Sequence, residues 1–219
     1  MRKLFKLFTL LFMLMTIVMA CNKPSDKTNA EESYDGYYWY EGKKIPLQKL
    51  DNMFYVVFYL ADEKKFRYEL SKAGIELKYV QERKDYSFTF TDMSGSGAWE
   101  LTNFITATIE SSYKNAATAL SYTIYWAPFY KLKDENEVVG ITEVVGVHLK
   151  PGVTFTQLEQ LAQKNSVKII GKYIYYSNSY MLVCTKQSKG NSLEIANRFY
   201  ESGLFEYTSA EMMGSITPL

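Results

Sequence analysis

Between Glu143 and Met213 the chain reads strand, helix, two strands, helix and strand, and this order constrains the fold more than any single residue does. In EVVGVHLK (143–150), Val145, Val147 and Leu149 share one parity, and Val144, Gly146, His148 and Lys150 share the other, which is the period of a strand. Pro151-Gly152 ends it. Thr154 is placed as an N-cap ahead of FTQLEQLAQKN, where Phe155, Leu158, Leu161 and Ala162 fall on one helical face. Asn165 closes that helix, and the β-rich VKIIGKYIYY follows. SNS (177–179) supplies turn chemistry before SYMLVCTK (179–186) alternates again, so these two runs predict a hairpin. The second helix takes Asn191 or Ser192 as its cap and Glu194 in its first turn. Leu193, Ala196, Phe199 and Tyr200 form its apolar face, and Gly203 stops it. LFEYTSAEM is the fourth strand. Right-handed crossovers then place both helices on one face of an antiparallel sheet. The expected fold class is therefore α+β, with this unit ferredoxin-like and its other face open.

Alternation along the strands assigns Gly146, His148, Met181, Val183, Glu206 and Thr208 to the open face. A mixture of apolar and polar groups suits a docked partner. It equally suits cover by the chain's own N-terminal half, and parity alone does not choose between the two.

The chain begins MRKLFKLFTLLFMLMTIVMAC, with Arg2, Lys3 and Lys6 before an apolar run and Ala20 before Cys21. This pattern predicts a lipoprotein signal over residues 1–20, with Cys21 as the acylated N-terminal residue. The competing readings, an ordinary secretory signal or a membrane-spanning helix, leave a well-placed cysteine unexplained. Several acyl chains would anchor firmly. Asn22 rather than an aspartate follows Cys21, which points to the outer membrane. The polar residues 21–33 read as a flexible tether. Loss of Arg2, Lys3 and Lys6 moves the formal charge from +1 to −2, and a near-neutral chain carries no electrostatic footprint for nucleic acid. Cys184 is then the one remaining thiol, which excludes an intrachain disulfide and suits a small core residue.

Residues 34–136 are rich in Tyr and Phe and predict a second α+β domain. YYWYEG and KIPLQKL read as a hairpin around Gly42-Lys43, followed by a buried strand MFYVVFYL. Asp62 opens a short helix with Phe66, Leu70 and Ala73 on one face and Gly74 at its end. Further strands are expected in IELKYVQE, DYSFTFT, NFITATIE and LSYTIYWAPFYKL. DMSGSGA (92–98) lacks the lysine and helix of a phosphate loop. The aromatic density fits core and cross-strand packing better than a stacking platform.

Catalysis finds little support. His148 is the single histidine, it lies mid-strand, and no nucleophile-elbow motif is present. One His and one thiol are too few for a metal centre, so neither metal nor cofactor is expected. The carboxylate pairs Glu31-Glu32 and Glu135/Glu137 fall in the tether and the linker.

Four blocks carry a resemblance: YYWYEGKKIPL, YWAPFYK (125–131), LKPGVTFTQLEQLAQKNSVKIIG (149–171) and GNSLEIANRFYESGLFE (190–206). Together they resemble the prodomain that precedes the catalytic domain in secreted bacterial subtilisin-like serine proteases. The residues themselves divide into domains at 34–136 and 137–213 with a tail at 214–219, and the likeness covers nearly all of this stretch. The likeness implies a protease partner, bound as an inhibitor or assisted in folding. The family's acidic-proline-acidic turn is replaced by Ser209-Ala210-Glu211, and the expectation is of a prodomain without its own enzyme. On this reading Leu219 fills the primary specificity pocket, Pro218 and Ile216 occupy the second and fourth subsites, and Glu211 caps helix N-termini of the protease. A tail with no fixed structure is the competing reading for 214–219. For the whole chain the alternative is a non-catalytic surface-binding lipoprotein, or the remnant of a truncated protease.

Overall fold

A two-residue turn starts the sheet. Glu41 and Gly42 both have positive φ, 48° and 76°, the conformation that matches a tight hairpin to the right-handed twist of its strands. The turn joins β1 (Gly36–Tyr40) to β2 (Lys43–Tyr59), with Tyr40 opposite Lys43. It therefore sits one residue earlier than Gly42-Lys43. The computed structural model describes residues 35–59, 63–83, 86–87, 90–91, 100–101, 104–133, 137–173 and 176–214. Cys21, the leader, the tether and the tail residues Ile216, Pro218 and Leu219 lie outside them.

After β2 come α1 (Glu63–Lys72), β3 (Lys78–Arg83), β4 (Tyr86–Ser87), β5 (Phe90–Thr91), β6 (Glu100–Leu101) and β7 (Phe104–Glu110). A 3₁₀ turn, Ser111–Tyr113, leads into α2 (Lys114–Ala119) and then β8 (Thr123–Leu132). The C-terminal half is β9 (Val138–Leu149), α3 (Phe155–Lys164), β10 (Lys168–Tyr173), β11 (Ser179–Val183), α4 (Ser192–Glu201) and β12 (Phe205–Met213). The protein is thus mixed α and β, dominated by one antiparallel sheet. Its order is β3-β7-β2-β8-β9-β11-β10-β5, with β1 added beside β2 and β12 beside β9. β4 and β6 pair separately.

Within this sheet the last four strands run β12-β9-β11-β10, each antiparallel to its neighbour. That is the split βαβ arrangement read from the sequence, with β9 and β12 adjacent although they are first and last in the unit. The junction expected at residues 136 and 137 falls between β8 and β9, which pair directly through Phe129 and Gly140, Tyr130 and Val139, and Lys131 and Val138. Both halves therefore share one sheet, and the described residues belong to one compact unit.

The core follows the strand parities. Tyr55 and Val57 of β2 join a large cluster with Ile141, Val145, Val147 and Leu149 of β9 and with Leu158, Leu193 and Phe199 from α3 and α4. Phe54, Val56 and Phe58, on the opposite face of β2, pack with Phe66 and Leu70 of α1 and with Ile105 and Ile109 of β7. β2 is consequently buried on both faces, which explains its continuous apolar run MFYVVFY. Its length comes from merging two expected strands across a register shift between Leu50 and Phe54.

Both C-terminal helices begin with a complete capping box. Thr154 accepts from the Gln157 backbone while Gln157 reaches back to the Thr154 N–H, and Asn191 and Glu194 repeat the exchange. Ser192 follows the cap and is fully buried; its hydroxyl donates to the Thr142 carbonyl and its backbone N–H to the Tyr125 hydroxyl. This ties the start of α4 to β8 and β9.

Candidate functional site: the β12 edge

β12 has one strand partner, β9, so its other edge has none among the described residues. α4 packs against β12 and β1 approaches it from across a cleft of about 800 Å³. Trp39 and Tyr38 of β1, Leu193 and Tyr200 of α4, and Tyr207 and Met212 of β12 line this cleft. The Trp39 indole stacks on Tyr200 at 4.9 Å between centroids, and its Nε1–H donates to Glu201 at 3.3 Å. Asn197 of α4 donates to the Tyr37 carbonyl at 2.7 Å. The far wall is thereby held to the helix by a ring stack and hydrogen bonds. Tyr40 and Tyr207 stand at the rim, 60% and 50% exposed.

Glu206 and Tyr207 gather around His148 at the β9–β12 end. The imidazole stacks flat on Tyr207, with centroids 5.1 Å apart and planes 6° apart. Its Nε2 lies 3.2 Å from a Glu206 carboxylate oxygen, and its Nδ1 lies 2.7 Å from the Ser179 hydroxyl. A serine, a histidine and a carboxylate thus stand in series, an arrangement no local pattern signals because Ser179 lies 31 residues from His148. Nucleophilic chemistry needs more than this order. Ser179 is 1% exposed, sits in the β11–β9 ladder opposite His148, and its own N–H is donated to the Tyr176 carbonyl. A substrate carbonyl has no approach to that oxygen. The cluster is better described as fixing the imidazole against β12. Among the described residues no group of three or more His, Cys, Asp or Glu side chains could hold a metal ion.

The outward-facing set expected from parity is only partly outward. Glu206 is half exposed and His148 partly so. Thr208 is a correction: it is buried, and its hydroxyl donates to the Ala196 carbonyl of α4 at 2.7 Å. The cause is a bulge. Phe205 pairs with Leu149 and Tyr207 with His148, so Glu206 is the extra residue and every side chain beyond it changes face. Met181 and Val183 are a second correction. They do lie away from the helices, but they are buried with Val144 and Ile170, at 5% and 6% exposure. They offer no surface to a partner. Gly146 remains outward and faces Ser209, whose Oγ would lie 3.1 Å from a Cβ added there.

Glu211 is half-buried on β12 and accepts a hydrogen bond from the Thr142 hydroxyl at 2.9 Å. Cys184 is buried, and that burial pushes its thiol up to about 12, the opposite of what a nucleophile requires. Burial likewise pushes the Tyr130 phenol up to about 12 and the Tyr125 phenol well above its ordinary range. These are core groups held neutral.

Comparison with known proteins yields no matching family model and no matching curated protein. Among solved structures, the small subunit of acetolactate synthase from Thermotoga maritima is similar over 76% of this chain and 98% of its own. The identity is 9% and the TM-score 0.26. A likeness at that level carries no argument about fold or function.

Proposed function

We propose that this chain is a non-catalytic partner-binding protein of the subtilisin-prodomain kind, held at the cell envelope by a lipid on Cys21, at the outer membrane. Its partner is a subtilisin-like serine protease, which it inhibits or helps to fold. The observation that carries the reading is the C-terminal unit: a ferredoxin-like βαββαβ unit in the order β12-β9-β11-β10, with β12 as an edge strand that delivers the chain at Gly214. Ile216, Pro218 and Leu219 then occupy the substrate cleft, and Glu211 exchanges Thr142 for the N-terminus of a protease helix. His148 and Glu206 supply polar contacts beside it. Nucleic acid, metal and cofactor have no part in this reading.

A second reading is favoured by the burial of Met181 and Val183. With that part of the sheet unavailable, the chain serves as a non-catalytic surface lipoprotein for another partner. One titration separates the two. Residues 22–219 are added to a subtilisin-like protease from the same cell, and residual activity is followed on a short chromogenic peptide. Stoichiometric loss of activity is expected, and Leu219→Asp should weaken it sharply. Full activity in the presence of the intact, folded chain would remove the protease reading.

A further inference from the structure

We infer that the unpaired edge of β12 takes an extended peptide segment of a partner protein, added as a strand, whose side chains alternate apolar and basic. This does not rest on the protease reading, which places the tail, not β12, in contact with the partner's cleft.

Three features carry it. A strand edge presents a row of backbone N–H and C=O groups, and a chain laid beside it satisfies them. β12 has such an edge, with no strand partner among the described residues. Next to the edge lies an apolar cleft of about 800 Å³, within the size range of ligand-binding clefts. Every second side chain of an added strand points to one face, and on the cleft side that face meets Trp39, Tyr200, Leu193 and Met212. The charge is the third feature. Of the residues lining the cleft, Glu41 and Glu206 alone are charged, and both are acidic and exposed. Aromatic rings beside carboxylates favour a lysine or arginine on the incoming segment. An acidic segment would meet like charge on both walls.

The two walls are anchored independently of any ligand. The β1 wall is tied to α4 by the Trp39–Tyr200 stack and by Asn197, and the β12 wall by Thr208 and the Phe199–Phe205 stack. The cleft is therefore formed before a segment arrives, which limits the ordering cost to the peptide.

The test uses residues 22–219, which retain the whole compact unit from residue 34 onward. The probe is a fluorescein-labelled, end-blocked six-residue peptide alternating valine and lysine, followed by anisotropy. Saturable one-to-one binding is expected, weakened at least tenfold when glutamate replaces lysine. Methylating the backbone nitrogens of one alternate set of residues should abolish binding, while methylating the other set should not, because only one peptide edge pairs with β12. The paired change Glu41→Lys and Glu206→Lys should reverse the preference between the lysine and glutamate peptides. No saturable binding, equal binding of both charge types, or indifference to methylation of both sets overturns the proposal. A dimer of this chain that the peptide fails to dissociate also overturns it, since the edge would then belong to a second copy.

Discussion

Phe199→Ala is the substitution that most directly tests how β12 is held. Phe199 on α4 and Phe205 at the start of β12 are 0% and 1% exposed, and their rings stack at 5.4 Å with 16° between planes. Truncation removes a fully buried ring and leaves a cavity between a helix and a strand, each fixed elsewhere by caps and ladder bonds. Partial collapse is all that such a site permits. The expected cost is about 4 kcal/mol, toward the middle of the range for buried Phe→Ala changes, with the lost ring pair contributing about 1 kcal/mol of it. In a unit of this size that corresponds to a fall in melting temperature of roughly 8–16 °C. Urea unfolding should show a lower midpoint at unchanged slope. The double-mutant cycle with Phe205→Leu isolates the stacking part. A loss below about 1 kcal/mol, with the slope unchanged, would refute the claim that this stack fastens β12 to α4.

Further outcomes follow from the buried titratable groups and from Ser179. Cys184 and Tyr130 hold their protons to about 12 because burial penalises the charged forms. The unfolded chain releases those protons near their ordinary values, so the native state binds more protons above about pH 9, and stability falls as pH rises from there. The Cys184 contribution has a ceiling of about 4 kcal/mol, and urea midpoints between pH 8 and pH 11 measure the fall. For the same reason a thiol reagent should label Cys184 only as fast as the protein opens; rapid stoichiometric labelling of native protein would contradict the burial. A fluorophosphonate probe should leave Ser179 unmodified under native conditions, whereas labelling that Ser179→Ala removes would make the Ser179–His148–Glu206 series catalytic.

The periodic parts of the chain were legible. Two capped helices, the hairpin of β10 and β11 and the closing strand follow from apolar spacing and turn residues, and the sheet order follows from connection rules. What was not legible depends on neighbours. Strict alternation put Glu206 and Thr208 on one face, but a bulge is set by what the partner strand and the helix can pack, not by the bulged strand's own residues. Met181 and Val183 have the right parity for an outer face, yet parity says nothing about what lies over that face. The Ser179–His148–Glu206 series and the Trp39–Tyr200 stack join residues 31 to 161 positions apart, beyond the reach of any local pattern. The aromatic run at residues 37–40 was the available signal for the cleft, and it is indistinguishable in sequence from ordinary hairpin packing.

The two register shifts between β12 and β9, the first with Glu206 extra on β12 and the second with the extra residues on β9, also set how much of the β12 edge is usable. They fall between Phe205 and Tyr207 and between Ala210 and Met212. Bulges bend a strand and interrupt its row of hydrogen-bonding groups, which is one way that proteins keep open edges from recruiting chains indiscriminately. Between the two shifts only Tyr207–Ala210 runs regularly, a span of roughly 13 Å at about 3.3 Å per residue. An added strand can therefore pair over about four residues, whatever its total length. A six-residue peptide already covers that span and its flanks. Extending the valine–lysine peptide from six to twelve residues should change its dissociation constant by less than about threefold. A gain of tenfold or more, about 1.4 kcal/mol, would mean that pairing continues past the bulges, and it would refute their role as limits on this edge.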